Sequence, residues 1–211
     1  MAASEEALKD LIREYGFDAE SCVSRQLHTY LTLLRKWNAR VNLASSTEWD
    51  VIGPLFQEGL WAAKFYPAGV VRHLDIGSGG GFPAIVLKIL MPEIRLDLVE
   101  SRAKKGIFLE TAAAALGFSN TRVHTKRLEM FLQQWDPNQS WDCVSWKALK
   151  LSREDIESLL KHAHQSTQFW IFHGRNLAVE DPTIAGRFFK RFRTESLPAR
   201  RNWNLSIFLP K

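Results

Sequence analysis

The chain has 211 residues, 45% of them hydrophobic, and carries a net charge of +5 with a pI near 9.3. That length suits one α/β domain with a small extension and is too short for two ordinary domains, while the basic balance suits a polyanionic partner. Two cysteines, Cys22 and Cys143, are too few and too unpatterned for a disulfide framework or a zinc site, so a reducing cytosol is expected. Glu5, Glu6, Lys9 and Asp10 interrupt any signal-peptide-like run and no later stretch approaches membrane-spanning length, which predicts a soluble cytoplasmic protein.

In chain order, Ser4 followed by Glu5 and Glu6 reads as a helix N-cap, and Gly16 as that helix's end. Leu27, Tyr30, Leu31, Leu34 and Trp37 then fall on one face of a stronger helix whose other face carries Arg25, Arg35 and Lys36. A polar break at 45–50 precedes a third apolar segment, Val51 to Phe65, interrupted by Pro54. Residues 1–68 are therefore expected to form a helical cap on a single compact core spanning 69–211.

From Val70 strands and helices alternate, as in a parallel sheet with right-handed crossovers. The first strand ends at Asp75, and Gly77, Gly79 and Gly81 follow at alternate positions before Pro83, which suits a helix start. The second strand runs through Ile94, Leu96 and Leu98 to Glu100, and Ser101 is placed to cap a helix that stops at Gly117. Further strands are expected at Thr121 to Thr125, Trp141 to Ser145 and Gln168 to Phe172, with Ser152 opening a helix between the last two. Phe188 to Leu197 and Trp203 to Leu209 then read as two strands joined by a short basic turn. The expected fold is an α/β, mostly parallel seven-stranded sheet closed by an antiparallel hairpin.

The glycine-rich turn lets a ligand approach the main chain and offers backbone donors at a helix start. Dinucleotide spacing fails, because Phe82 stands where a third glycine should be, and no lysine follows at P-loop spacing. An NAD-dependent oxidoreductase is the runner-up. Asp75, Gly77, Gly79 and Gly81 instead resemble motif I of class I S-adenosylmethionine methyltransferases. Glu100, about 20 residues beyond the loop, suits ribose hydroxyls. The stretch Lys126 to Glu129 should flank the adenine through Leu128, with Arg127 turned to the substrate.

After the fourth strand there is neither an Asn/Asp-Pro-Pro-aromatic box nor a Pro-Cys pair, so exocyclic-amine and covalent pyrimidine chemistry lack support. A ring nitrogen such as guanine N7 already has a lone pair and needs no general base. Trp146 is a candidate to stack on that base or to lie in the core, and Lys104, Lys105, Arg127 and Lys147 form a basic rim. His162 and His164, read as helical, would point to different faces, so no metal is expected.

LLRKWNARVNLAS, HLDIGSGGGFPAIVL, LVESRAKKGIFLE and TKRLEMF together resemble the ribosomal RNA small subunit methyltransferase G family, also called glucose-inhibited division protein B. The resemblance implies a class I methyltransferase that uses S-adenosylmethionine to modify N7 of a guanosine in 16S ribosomal RNA, acting on ribosomal RNA or the small subunit and expected to be a monomer. The residues expected around the cofactor are Asp75, Gly77, Ser78, Gly79, Gly81, Phe82, Glu100, Leu128, Glu129 and Lys147. Those expected to meet RNA are Lys104, Lys105 and Arg127, with Arg127, Trp146 and Lys147 nearest the reacting base. The chain departs from the family's pattern at Phe56, Gln57, Glu58 and Gly59, at Trp146 and Lys147, and at His173. A divergent methyltransferase or an RNA-binding relative with another RNA target is the second alternative.

Overall fold

The computed structural model describes residues 2–69, 71–174, 185–198 and 200–211. Three helices, α1 (Ala2–Glu14), α2 (Cys22–Asn38) and α3 (Trp49–Ala62), precede a 3-10 turn at Ala63–Phe65. The alternating part follows as β1 (Arg72–Ile76), α4 (Ala84–Leu90), β2 (Arg95–Val99), α5 (Ala103–Ala115), β3 (Thr121–His124), α6 (Leu128–Gln133), β4 (Trp141–Lys147), α7 (Arg153–Leu160) and β5 (Ala163–Gly174). It ends with α8 (Ala185–Phe188), β6 (Phe189–Ser196) and β7 (Trp203–Pro210).

The seven strands are ordered β3-β2-β1-β4-β5-β7-β6. β1 to β5 pair in parallel, while β7 runs antiparallel to both β5 and β6. The chain moves outward from β1 through β2 to β3 and then returns to β4 on β1's other side. The ends of β1 and β4 are thus the switch point, where open α/β sheets bind ligands.

The face of α2 predicted from spacing is the one that is buried: Leu27, Tyr30, Leu31 and Leu34 join Ile52 and Phe56 of α3, Ile85 and Val86 of α4 and Phe108 of α5 in one core. Gly59 brings α3 against α4 so closely that a Cβ there would lie 2.5 Å from Val86 Cβ. The cap is therefore welded to the helical layer beneath it. On the sheet's other face α6 and α7 cover Leu74, Val144 and Phe169.

Several local expectations shift. Ser4 lies inside α1, and Pro83 is the N-cap of α4 rather than its first residue. Ser101 does not cap α5; Arg102 stands at that position, and its backbone N–H donates to Glu100 Oε1 at 2.8 Å. The strand expected from Val70 begins at Arg72, and Val70 itself lies outside the described residues. β4 continues through Trp146 and Lys147 because each finds a ladder partner on β5, Ile171 and Phe172. His162 sits in a turn and His164 in β5, so the helical reading of that pair fails; among the described residues no group of metal-ligating side chains is found. Ser152 does form the expected capping box, with Asp155.

Candidate active site

Gly77, Gly79 and Gly81 all adopt positive φ, at 69°, 57° and 89°, a region that favours glycine. The turn they make is held by main chain: Gly77 and Ser78 donate their N–H groups to Val99 O, at 2.8 and 3.1 Å. Gly79 N donates to Glu100 Oε2 at 2.8 Å, so the carboxylate at the end of β2 bridges the glycine loop and the start of α5. Each of its oxygens retains a further lone pair for a ligand hydroxyl. From the cap, the buried Tyr30 hydroxyl donates to Gly80 O. Asn38 of the WNARVN stretch accepts from the N–H groups of Leu43 and Ala44, at 2.9 and 3.0 Å, and so fixes the turn whose Leu43 carbonyl lies against Gly80.

Beside this loop a cavity of about 320 Å³ is lined by Gly77, Val99, Arg127, Leu128, Glu129 and Leu149. The third loop thus meets the first. Leu149 and Leu151, from the loop after β4, complete the wall and carried no signal in the sequence. That loop turns at Ala148, whose φ of 51° is uncommon for a residue with a side chain. Lys105 reaches over the glycine loop, its Nζ 4.0 Å from where a Cβ on Gly79 would lie, whereas Lys104 and Arg127 are solvent-exposed on the rim.

Four expected site residues face elsewhere. Trp146 is only 4% exposed and packs in the second core beside Phe169, so it is a core residue and not a stacking platform. Phe82 turns its ring into the cap core, with ring centroids 5.1 Å from Tyr30 and 5.2 Å from Phe56. Lys147 points away from the cavity and donates to Glu58 Oε1 at 2.5 Å. Burial pushes the Lys147 ammonium down from its ordinary range, against the pull of Glu58. Arg200 lies 3.8 Å from the second Glu58 oxygen and stacks on Trp203 at 3.9 Å. Asp75 does not hold the loop's N–H groups either; it is buried beneath the loop and accepts from Ser145 Oγ at 2.5 Å.

Asp75 ends a polar run through the core. His73 Nε2 lies 2.8 Å from Ser145 Oγ, and His73 Nδ1 lies 2.8 Å from the Tyr66 hydroxyl. Since the Ser145 proton goes to Asp75, Ser145 must accept from His73 Nε2–H, which leaves Nδ1 to accept from Tyr66. Burial pushes the Asp75 carboxyl up to about 6, partly offset by hydrogen bonds from Ser145 and Ser78 and by the Lys147 charge. Burial also pushes His73 down to about 3, so the imidazole stays neutral, as the run requires.

With this geometry in view, the sequence model of the rRNA small subunit methyltransferase G (GidB) family matches residues 23–190. The chain belongs to this family. It is 32% identical over 179 residues to the ribosomal RNA small subunit methyltransferase G of Roseiflexus sp. (strain RS-1), covering 84% of this chain and 74% of that protein. Its identity to the Paracoccus denitrificans (strain Pd 1222) protein of the same name is 33% over 158 residues, covering 74% and 79%. Among solved structures, a SAM dependent methyltransferase from Aquifex aeolicus superposes with a TM-score of 0.57 at 13% identity, over 75% of this chain and 92% of that one. A ribosomal protein L11 methylase from Lactobacillus delbrueckii subsp. bulgaricus gives 0.58 at 12% identity, over 74% and 78%. These two share the fold. Family membership makes the protein an S-adenosylmethionine-dependent methyltransferase, and the oxidoreductase reading falls away. The residues present fit that cofactor: a glycine turn open to main-chain approach and an apolar wall at Leu128 line one cavity, and the carboxylate at the end of β2 holds the glycine turn beside it.

Proposed function

We propose that this methyltransferase modifies N7 of a guanosine in 16S ribosomal RNA, acting as a cytoplasmic monomer without a metal. The observation that carries the reading is a glycine loop tied to Glu100, in a chain that matches the family over residues 23–190. S-adenosylmethionine supplies an electrophilic sulfonium methyl. In this reading Gly77 and Gly79 admit the cofactor to the main chain, Glu100 accepts from its ribose hydroxyls, and Leu128 covers its adenine. Arg127, Lys104 and Lys105 draw RNA phosphates to the same edge of the sheet.

The chemistry asks little of the side chains. The N7 lone pair attacks the methyl carbon, the carbon–sulfur bond breaks toward sulfur, and the positive charge passes to the purine. No proton leaves, so no general base is needed. This agrees with Asp75 being occupied by Ser145 and Lys147 by Glu58, so that neither is free to act as a base. Catalysis then rests on alignment, an effect worth about 7 to 11 kcal/mol in favourable cases.

Calorimetry with S-adenosylmethionine and with its demethylated product tests the cofactor site. Saturable binding of both is expected, falling at least about tenfold in Glu100→Ala because a charge-assisted acceptor is worth about 1.5 to 3 kcal/mol. Undiminished binding in that variant would remove Glu100 from the site. Labelled cofactor incubated with small subunits and separately with naked RNA then shows which substrate is taken.

A further inference from the structure

The opposite, N-terminal edge of the sheet holds a second polar cavity, of about 230 Å³, lined by Arg72, Arg95, Arg122, Asn120 and Trp135. Arg72 and Arg95 are register partners on β1 and β2. Arg122 on β3 is the partner of Asp97, two residues along β2 from Arg95. Strand alternation therefore puts the three arginines and Asp97 on one face of the sheet. At roughly 3.3 Å per residue Arg72 lies about 16 Å along β1 from Gly77, and the cavity shares no lining residue with the one beside the glycine loop.

Like charges directly opposite one another on neighbouring strands repel, as Arg72 and Arg95 do, and the one acid that lines the cavity with them is Asp97. Every acid nearby is committed to another group. Asp97 Oδ1 lies 2.8 Å from His124 Nε2, and Asp142 Oδ2 accepts the Arg72 backbone N–H at 2.8 Å. Asp136 accepts from Asn138 and Gln139, at 2.9 and 3.1 Å. The Arg72 guanidinium donates to Gln139 Oε1 at 2.6 Å and lies 5.7 Å from the Trp135 ring, which aims it. Among the described residues, none of the three guanidiniums takes part in a salt bridge.

We propose that this cavity is a second site, for a phosphate group, supplied either by the backbone of the RNA or by a free nucleotide. Guanidinium groups match phosphate oxygens in pairs, and three around one polar hollow outnumber Asp97, the one carboxylate in its lining, and leave positive charge for an anion. The RNA source rests on the function proposed above, whereas the nucleotide source stands without it.

The test compares the wild-type protein with Arg95→Gln/Arg122→Gln, two exposed positions, and with Arg122→Gln alone. Calorimetry is run with guanosine 5′-monophosphate and with a seven-nucleotide single-stranded RNA lacking a terminal phosphate; melting temperature and S-adenosylmethionine affinity serve as fold controls. At least one probe is expected to bind the wild-type protein and to lose tenfold or more in the double variant, less in the single one, with both controls unchanged. Loss confined to the oligonucleotide assigns the site to RNA backbone, and loss of the monophosphate assigns it to a nucleotide. Equal affinities in all three proteins, or no binding of either probe to the wild-type protein, would overturn the proposal. Methyl transfer to small subunits, read on the same samples, separates the two claims. Active wild-type protein with unchanged probe affinities in the variants sinks the second site alone, and inactive wild-type protein that still loses a probe on substitution sinks only the proposed activity.

Discussion

At the C-terminal edge of the sheet, the half reached by β1, β2 and β3 and the half reached by β4, β5 and β7 are held by different kinds of contact. In the first half main chain meets main chain or a single carboxylate: Gly77 and Ser78 on Val99 O, Gly79 on Glu100. In the second half side chains from distant segments meet, with Glu58 of α3 fully buried between Lys147 at the end of β4 and Arg200 before β7. A backbone cradle tolerates side-chain drift as long as its glycines remain. A buried ion pair does not, because losing one partner leaves a charge with no water to solvate it. Two of the chain's departures from the family's pattern, Glu58 and Lys147, turn out to be the two ends of that pair.

Three substitutions sharpen the contrast. Trp146→Ala should have the largest effect, since it hollows the second core at about 3 to 5 kcal/mol, seen as a large fall in denaturant midpoint with little change in cofactor affinity per folded molecule. A variant that keeps its stability but loses methyl transfer would return Trp146 to the substrate. Glu58→Gln should cost about 3 kcal/mol, because Lys147 keeps its charge without a counter-ion. Glu58→Gln/Lys147→Met should recover most of that loss. If the double variant is no more stable than the single one, the pair is not what holds that half together.

The polar run beneath the loop gives an effect no larger than that, and one that depends on pH. Asp75 has a folded pKa of about 6 against an ordinary 3.8. Between these values the folded state binds the extra proton, so Asp75 subtracts stability as pH rises through the window, by about 3 kcal/mol at about 1.4 kcal/mol per unit. His73 works in the opposite sense. Its folded value of about 3 lies below the ordinary 6.5, so its neutral form contributes stability that is complete above that pH and lost as pH falls toward 3. Melting temperatures from pH 4 to 7 should show Asp75→Asn gaining on the wild-type protein as pH rises, and His73→Leu losing less than the wild-type protein as pH falls. Parallel curves for all three proteins would mean that neither group is held as described.

What was legible in the sequence follows the same division. The glycine turn, the capping box at Ser152 and the buried face of α2 rest on spacings within a dozen residues, where local stereochemistry decides, and Glu100 on its place at the end of the next strand. Trp146 and Lys147 looked like loop residues because nothing local sets the register that pairs them with Ile171 and Phe172, although both partners lie inside the strand expected at Gln168 to Phe172. Glu58 and Lys147 stand 89 positions apart, and Tyr30 and Gly80 stand 50 apart, so only the packed chain reveals either contact. His73 was invisible for a different reason: a histidine inside an apolar strand signals nothing until Tyr66 and Ser145 are seen on either side of it.

The central claim is that a main-chain cradle presents a methyl group to a ring nitrogen that needs no base. The most direct measurement treats small-subunit RNA with the protein and S-adenosylmethionine, reduces it with borohydride and cleaves it with aniline, a sequence that cuts at N7-methylated guanosine. The account predicts one new cut at a guanosine, dependent on cofactor and absent with Glu100→Ala. Transfer of label to RNA with no new cut would place the methyl on another atom and contradict it.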